Sequence, residues 1–218
     1  MKFVKSSLLI LTTLVCVYAN SQIADSNSIA FRKGRWFTGL SGSISSTTIR
    51  INSLDQETST NNYGINIQSG KFLKDRFLVG GRLQINRINT SGNVDQQTET
   101  LFIGPFSNYY FNVNKTGGLF ITAAVGYTRY SNEVDFTQNL MTVNEFSEGS
   151  GLGSIFSLGY SYTITDNVAF DLGINVNLFW LDVEQESIPS NVKTNYSISS
   201  NDISLSFGFN ILLDDFFF

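Results

Sequence analysis

Val168-Ala169-Phe170-Asp171-Leu172-Gly173-Ile174-Asn175-Val176-Asn177-Leu178-Phe179-Trp180 is the stretch on which the fold class turns. Val168, Phe170, Leu172, Ile174, Val176, Leu178 and Trp180 fall on one side of an extended chain. Asp171, Gly173, Asn175 and Asn177 fall on the other, with Ala169 and Phe179 at the ends of that face. A period of two is the signature of a β-strand. A half-buried strand of a soluble domain runs about five or six residues, whereas a tilted membrane strand needs about nine to eleven. Seven apolar positions in unbroken alternation fit the second case.

Seven further segments carry the same period. Near the C-terminus, Ile203, Leu205, Phe207, Phe209 and Ile211 alternate with Ser204, Ser206, Gly208 and Asn210. Around residue 80, Phe77, Val79, Leu83 and Ile85 oppose Arg82, Gln84 and Asn86. Leu119, Ile121, Ala123, Val125 and Tyr127 oppose Thr122, Ala124, Gly126 and Thr128. Together with less regular stretches, the expected strands are 35–48, 60–70, 76–89, 98–112, 118–131, 150–164, 167–183 and 197–213. Their connections alternate in length. Residues 71–75, 113–117 and 165–166 read as short turns, and 49–59, 90–97, 132–149 and 184–196 as longer polar loops holding nine of the 18 acidic residues. Short turns at one end and long loops at the other are the habit of membrane barrels, with the long loops outside the cell. Acidic side chains there are ordinary solvated loop residues, or bridge anionic headgroups through divalent cations.

The physics requires closure. Hydrocarbon offers no water to backbone N–H and C=O groups, so strands cross only in a sheet that closes on itself. The expected fold is therefore all-β, an eight-stranded antiparallel up-and-down transmembrane β-barrel. Leu172, Ile174, Val176, Leu205, Phe207 and Phe209 are expected to face lipid. Arg82, Gln84, Asn86, Asp171, Asn175 and Asn177 are expected to form a polar network in the lumen, with Arg82 and Asp171 pairing through its amides, because a lone interior charge is costly. Trp36, Tyr63, Tyr109, Phe111, Tyr127, Tyr160, Tyr162 and Trp180 lie where interfacial girdles belong.

Composition agrees. The chain has 19 Phe, 9 Tyr and 18 Gly but only 2 Pro and 15% charged residues. Lys2 and Lys5, the apolar run Ser6–Tyr18 and the small residues around Ala19-Asn20-Ser21 make residues 1–21 an expected signal peptide. Val15 before Cys16 does not suit a lipoprotein signal. Beyond the leader come a short N-terminal segment at 22–34, the barrel at 35–213 and a tail at 214–218. Without the leader the formal charge moves from −4 to −6, which argues against nucleic acid as a partner.

On the leader, the eight segments, the stretch Ile103-Gly104-Pro105-Phe106-Ser107-Asn108-Tyr109-Tyr110-Phe111 and the last strand, the chain resembles the small bacterial outer-membrane β-barrel proteins, porin-like and of the OmpX/OmpA-barrel type. That resemblance implies the outer membrane of a Gram-negative cell and contact with its lipid. It also implies an assembly signal for the insertion machinery, carried by Ser206, Gly208, Ile211 and Leu213. The extension Asp214-Asp215-Phe216-Phe217-Phe218 departs from the family's usual ending and leaves the register of the last strand open. No periplasmic peptidoglycan-binding domain is expected.

For function, the chain contains no histidine, the base that barrel hydrolases of this kind resemble one another in using. No serine-centred constellation, metal cluster or cofactor motif stands out, and Gly149-Ser150-Gly151-Leu152-Gly153 opens a strand rather than a helix. The expectation is a non-enzymatic structural or surface-interaction barrel acting through its external loops. The alternatives are a narrow solute channel, and a secreted lipocalin-like barrel with its apolar face turned inward around a ligand.

Overall fold

The computed structural model describes residues 30–51, 56–91, 95–138, 141–188 and 192–214. The expected leader, residues 22–29 and the tail beyond Asp214 lie outside them. Eight antiparallel strands follow in chain order: β1 (Trp36–Ile51), β2 (Gln56–Lys74), β3 (Phe77–Ser91), β4 (Asp95–Asn114), β5 (Gly117–Gln138), β6 (Met141–Thr165), β7 (Val168–Ile188) and β8 (Val192–Leu213). Each pairs with its neighbours, and β1 pairs with β8, so the sheet is a closed up-and-down barrel, as expected.

The inner-end turns are two residues long, and the sequence explains two of the three. At Lys115-Thr116 the Asn114 side-chain oxygen accepts hydrogen bonds from the backbone N–H groups of Thr116 and Gly117. At Asp166-Asn167 the Thr165 hydroxyl takes the N–H groups of Asn167 and Val168. These local side-chain bonds do what turn residues do generally, replacing ladder partners where the chain reverses.

At the outer end the structure corrects the expectation of long loops. The β5–β6 ladder continues to Gln138↔Met141, and the β7–β8 ladder to Ser187↔Val192. The strands run on past the apolar band, and the residues between them at this end, 52–55, 92–94, 139–140 and 189–191, lie outside the described ones. The reason is physical. Alternation of apolar and polar residues is imposed by lipid and stops at the membrane surface, but backbone pairing does not.

Stagger follows from the register. Leu205 pairs with Ile44, and then through Tyr63, Arg87, Glu99, Ser131, Glu148 and Glu184 the ladder returns to β8 at Asn195, ten residues away. For eight strands that stagger corresponds to a tilt of about 40°. The β1–β8 seam is the shortest, nine pairs from Trp36↔Leu213 to Ile44↔Leu205. Beyond it β8 is paired with β7 alone.

The apolar face points outward. Leu172, Ile174, Leu205, Phe207 and Phe209 are each about half exposed, and Val176 lies on the same face. With their neighbours they form a band around the barrel. Tyr109, Tyr162 and Trp36 lie towards its inner edge, and Tyr63, Tyr127 and Trp180 towards its outer edge. Lys71 sits 5.3 Å above the Trp36 ring, a cation over an aromatic face at the rim. Just beyond the outer aromatics the outward positions become charged, with Arg87 bonded to Gln97 and Arg129 to Glu148. A band of this kind belongs in lipid; a lipocalin-like barrel would place it inside.

Candidate functional site

The lumen is where the polar side chains of all eight strands converge, and it is filled in three layers.

The inner mouth is stopped by residues 30–35, which tuck under the barrel before β1 begins. Phe31 is fully buried and stacks on Tyr110 with ring centroids 3.9 Å apart. Phe72 and Phe120 pack against Tyr110 in turn. Backbone bonds tie the plug down, Arg76 N–H to Phe31 O and Gly34 N–H to Phe72 O. Arg35 is 1% exposed and donates to Ala30 O, Asp166 O, Asn167 Oδ1 and Leu212 O. Its Nε lies 3.1 Å from Asp214 Oδ1, which Arg32 also meets. One guanidinium thus joins the plug, the β6–β7 turn and the end of β8. Burial lowers its pKa, an effect that Asp214 opposes, and the group stays charged.

Above the plug runs a chain of polar side chains. Arg82 donates to Gln84 Oε1 at 2.6 Å and to Ser157 Oγ at 3.4 Å. Gln84 donates to Asn177, Asn177 to Asp202 Oδ2, and Asn62 to Asp202 Oδ1. The chain crosses the lumen from β6 through β3 and β7 to β8 and β2. Higher still, Phe102, Phe179, Leu181 and Val183 make an apolar layer, with Tyr130 and Ile198 packed against it.

Glycine makes room for this filling. Gly159 and Gly173 face each other with the Phe120 ring against them, and a Cβ on Gly159 would come within 2.7 Å of both the Gly173 Cα and the Phe120 ring. Gly104 and Gly126 approach as closely across the β4–β5 ladder.

All six of the polar residues picked out from the sequence (Arg82, Gln84, Asn86, Asp171, Asn175 and Asn177) point inward. Their grouping differs from the expectation in one respect. Arg82 does not reach Asp171; its line of amides ends on Asp202 instead. Asp171 lies nearer the plug, across the ladder from Ser161. The cause is stagger: Arg82 and Asp171 sit on strands far apart around the barrel, and parity along each strand carries no information on relative height. Asp202 was legible, since the alternation of the last strand, continued one step past Ile203, puts it inside. Phe31 and Arg35 had no periodic signal to mark them. Of the assembly-signal residues, Ser206 and Gly208 face the lumen and Ile211 and Leu213 face outward, at the end of β8 paired with β1. Among the described residues no cluster of acidic, cysteine or histidine side chains is arranged to hold a metal.

The family model described as "Protein of unknown function, DUF481" matches residues 29–214, from the plug to the last carboxylate of the clasp. The chain belongs to that family. The matched span is the plugged barrel itself, so in this DUF481 member the N-terminal stopper and the eight strands form one unit. Among solved structures, the outer membrane protein OprG from Pseudomonas aeruginosa is similar at 14% identity, over 85% of this chain and 99% of that one, with a TM-score of 0.53. The outer membrane protein AlkL is 13% identical over 88% and 94%, with a TM-score of 0.51. A major outer membrane protein from Thermus thermophilus is 11% identical over 82% and 99%, with a TM-score of 0.51. At these identities the likeness is one of fold, and the fold is that of the small outer-membrane barrels. No curated protein matches the chain.

Proposed function

We propose that this DUF481 member is a closed, non-conducting barrel of the bacterial outer membrane that works through its outer hairpins, as a structural or surface-interaction protein, without catalysis. The observation that carries this is the obstruction of the lumen at three heights: the Phe31–Tyr110 plug, the Arg82–Asp202 chain and the Phe102–Phe179 layer. An eight-stranded barrel has room for side chains and little else, and a solute would have to break a buried charged network to pass. The strands also continue beyond the apolar band, with the β5–β6 and β7–β8 ladders paired out to Gln138↔Met141 and Ser187↔Val192. These carry Glu133, Glu148, Asp182 and Glu184, with Lys193 bonded to Glu184. That surface suits a partner met from outside the cell. On this reading lipid surrounds the band, and the insertion machinery reads the end of β8 at Ser206, Gly208, Ile211 and Leu213.

Planar-bilayer recording of the purified protein tests it. The reading predicts a flat baseline at membrane potentials up to 100 mV or so, about 2.3 kcal/mol per charge moved. Discrete, reproducible conductance steps would overturn it in favour of a narrow channel.

A further inference from the structure

The seam between β1 and β8 is paired over only part of its length. It stops at Ile44↔Leu205, while the β7–β8 ladder runs on to Ser187↔Val192. Continuing the seam register places Ile51, the last residue of β1, opposite Ile198, so residues 192–197 stand beyond the end of β1. Each residue of an antiparallel strand sends both backbone polar groups to the same side, alternately to one neighbour and the other. The Leu212 N–H bonds Asn167 O, and β8 pairs with β7 without a register shift. Even-numbered residues of β8 therefore bond β7. Lys193, Asn195, Ser197, Ser199, Asn201 and Ile203 turn their N–H and C=O groups to the open edge.

Among the described residues nothing blunts this edge. Natural edges are protected by proline, by a bulge or by a charge set in the way. Residues 192–204 include no proline, and their pairing with β7 is regular. Their one lysine, Lys193, is drawn back over β7 by Glu184 at 2.7 Å and Glu186 at 3.7 Å. Thr194, Tyr196 and Ile198 are residue types that favour strands.

Chemistry and position select the occupant. A row of alternate amide and carbonyl groups is completed by an extended backbone. Both ends of the described chain, Ala30 and Asp214, lie at the inner mouth beside Arg35, at the opposite end of the barrel. A second copy in the same membrane does not fit either. Every copy runs β8 inward from the outer surface, and at a tilt of about 40° two such strands meet crossed at roughly 80° instead of aligned. That leaves a segment of another protein, arriving from outside. On the outward face beside the edge, Asp182, Glu184 and Glu186 outnumber Lys193, which favours a basic segment.

We propose that β8 from Val192 to Ile203 is a docking edge for an extended, basic polypeptide segment of an extracellular partner. The segment adds as an antiparallel strand in the place that a longer β1 would fill. The proposal rests on the surface-interaction reading and gives that surface its mode of recognition.

The full barrel, folded in detergent micelles, tests it through residue-resolved amide hydrogen exchange with a synthetic peptide of repeated Thr-Lys-Val-Lys. At about ten times its Kd, a ligand that binds only the closed state slows exchange about tenfold. That protection is expected at the odd-numbered amides from Lys193 to Ile203, and not at the even-numbered ones, which β7 already holds. The same peptide N-methylated throughout, and a Thr-Glu-Val-Glu counterpart, are expected to leave exchange unchanged. Ser199→Pro removes an N–H aimed at the open edge and none from the β7 ladder, so the affinity is expected to fall about fivefold or more. Should Ser199→Pro not fold, the N-methylated peptide on the parent protein makes the same comparison. Equal protection by the N-methylated or the acidic peptide would overturn the proposal, as would none from the basic peptide at millimolar concentration. So would odd-numbered amides already protected without peptide, assigning the edge to a second copy where protection grows with protein concentration and to β1 where it does not. Bilayer conductance is independent of all these results, so failure of the strand-pairing mode is distinguishable from failure of the closed-barrel reading.

Discussion

Replacing Arg35 by methionine keeps much of the side-chain volume and removes the guanidinium that clasps the barrel shut. Four hydrogen bonds at 2.6–3.0 Å are lost. Bonds from a charged donor contribute about 1.5–3 kcal/mol each in net terms. Those to Ala30, Asp166 and Asn167 lie near the inner rim, where water replaces part of the loss. Leu212, fully buried, has no such recourse, and its carbonyl is left without the guanidinium bond. Truncating one partner of a buried charged cluster costs about 3–5 kcal/mol, and that is the expected destabilisation for R35M. Arg32 meets the same carboxylate, but both partners are substantially exposed, with side chains 32% and 51% accessible. R32A is therefore expected to cost under about 1 kcal/mol. Urea unfolding of the two variants and the parent from lipid vesicles, with the midpoint read by tryptophan fluorescence, measures the difference. Equal and small losses for both variants would refute the claim that Arg35 holds the plug, the β6–β7 turn and β8 together.

Three other outcomes follow from the packing and the register. Gly159→Val drives a side chain into Gly173 and the Phe120 ring, so the heat-modifiable folded band on gels is expected to be lost or to appear at much lower temperature, overpacking costing about 1–3 kcal/mol or more. Amides of β8 from Val192 to Ser204 have a ladder partner on one side only, and hydrogen exchange there is expected to run faster than in β7 from Leu172 to Leu181, which is paired on both sides. At the outer hairpin, Lys193 is held above the usual lysine pKa by its hydrogen bond to Glu184 and by the charges of Glu184 and Glu186. That raised value means its contribution is full below the unfolded lysine pKa and disappears as pH climbs through the folded one. The hairpin amides of K193Q are accordingly expected to exchange slightly faster than the parent's at neutral pH and identically in strong alkali.

The sequence carried the barrel because lipid imposes a rule that can be read one residue at a time. Each outward position in the band must be apolar, so Leu172-Gly173-Ile174-Asn175-Val176-Asn177 discloses both the strand and its two faces. The eight strands and the inward parity of Arg82, Gln84 and Asn177 came from that rule alone. It stops where lipid stops. The outer halves of β5 to β8 are paired as regularly as the inner halves, yet Glu133, Glu145 and Lys193 look like loop residues, because water accepts any side chain on either face. Relative height around the barrel was not legible either. It depends on a ten-residue stagger that only the closed ladder defines, which is why Arg82 was matched with Asp171 rather than led to Asp202. The plug is a third kind of case: Phe31 and Arg35 act singly, and one aromatic before a basic cluster has no period to recognise.

The phase of β7 relative to lipid decides between a membrane barrel and a soluble one. Single cysteines at Leu172, Ile174 and Asn175, spin-labelled in the protein reconstituted into vesicles, measure it directly through relaxation by oxygen, which concentrates in the bilayer, and by a water-soluble nickel chelate. High oxygen accessibility at 172 and 174 with a sharp drop at 175 is the predicted result. The opposite phase, with 175 meeting oxygen and 172 and 174 shielded from it, would contradict the account.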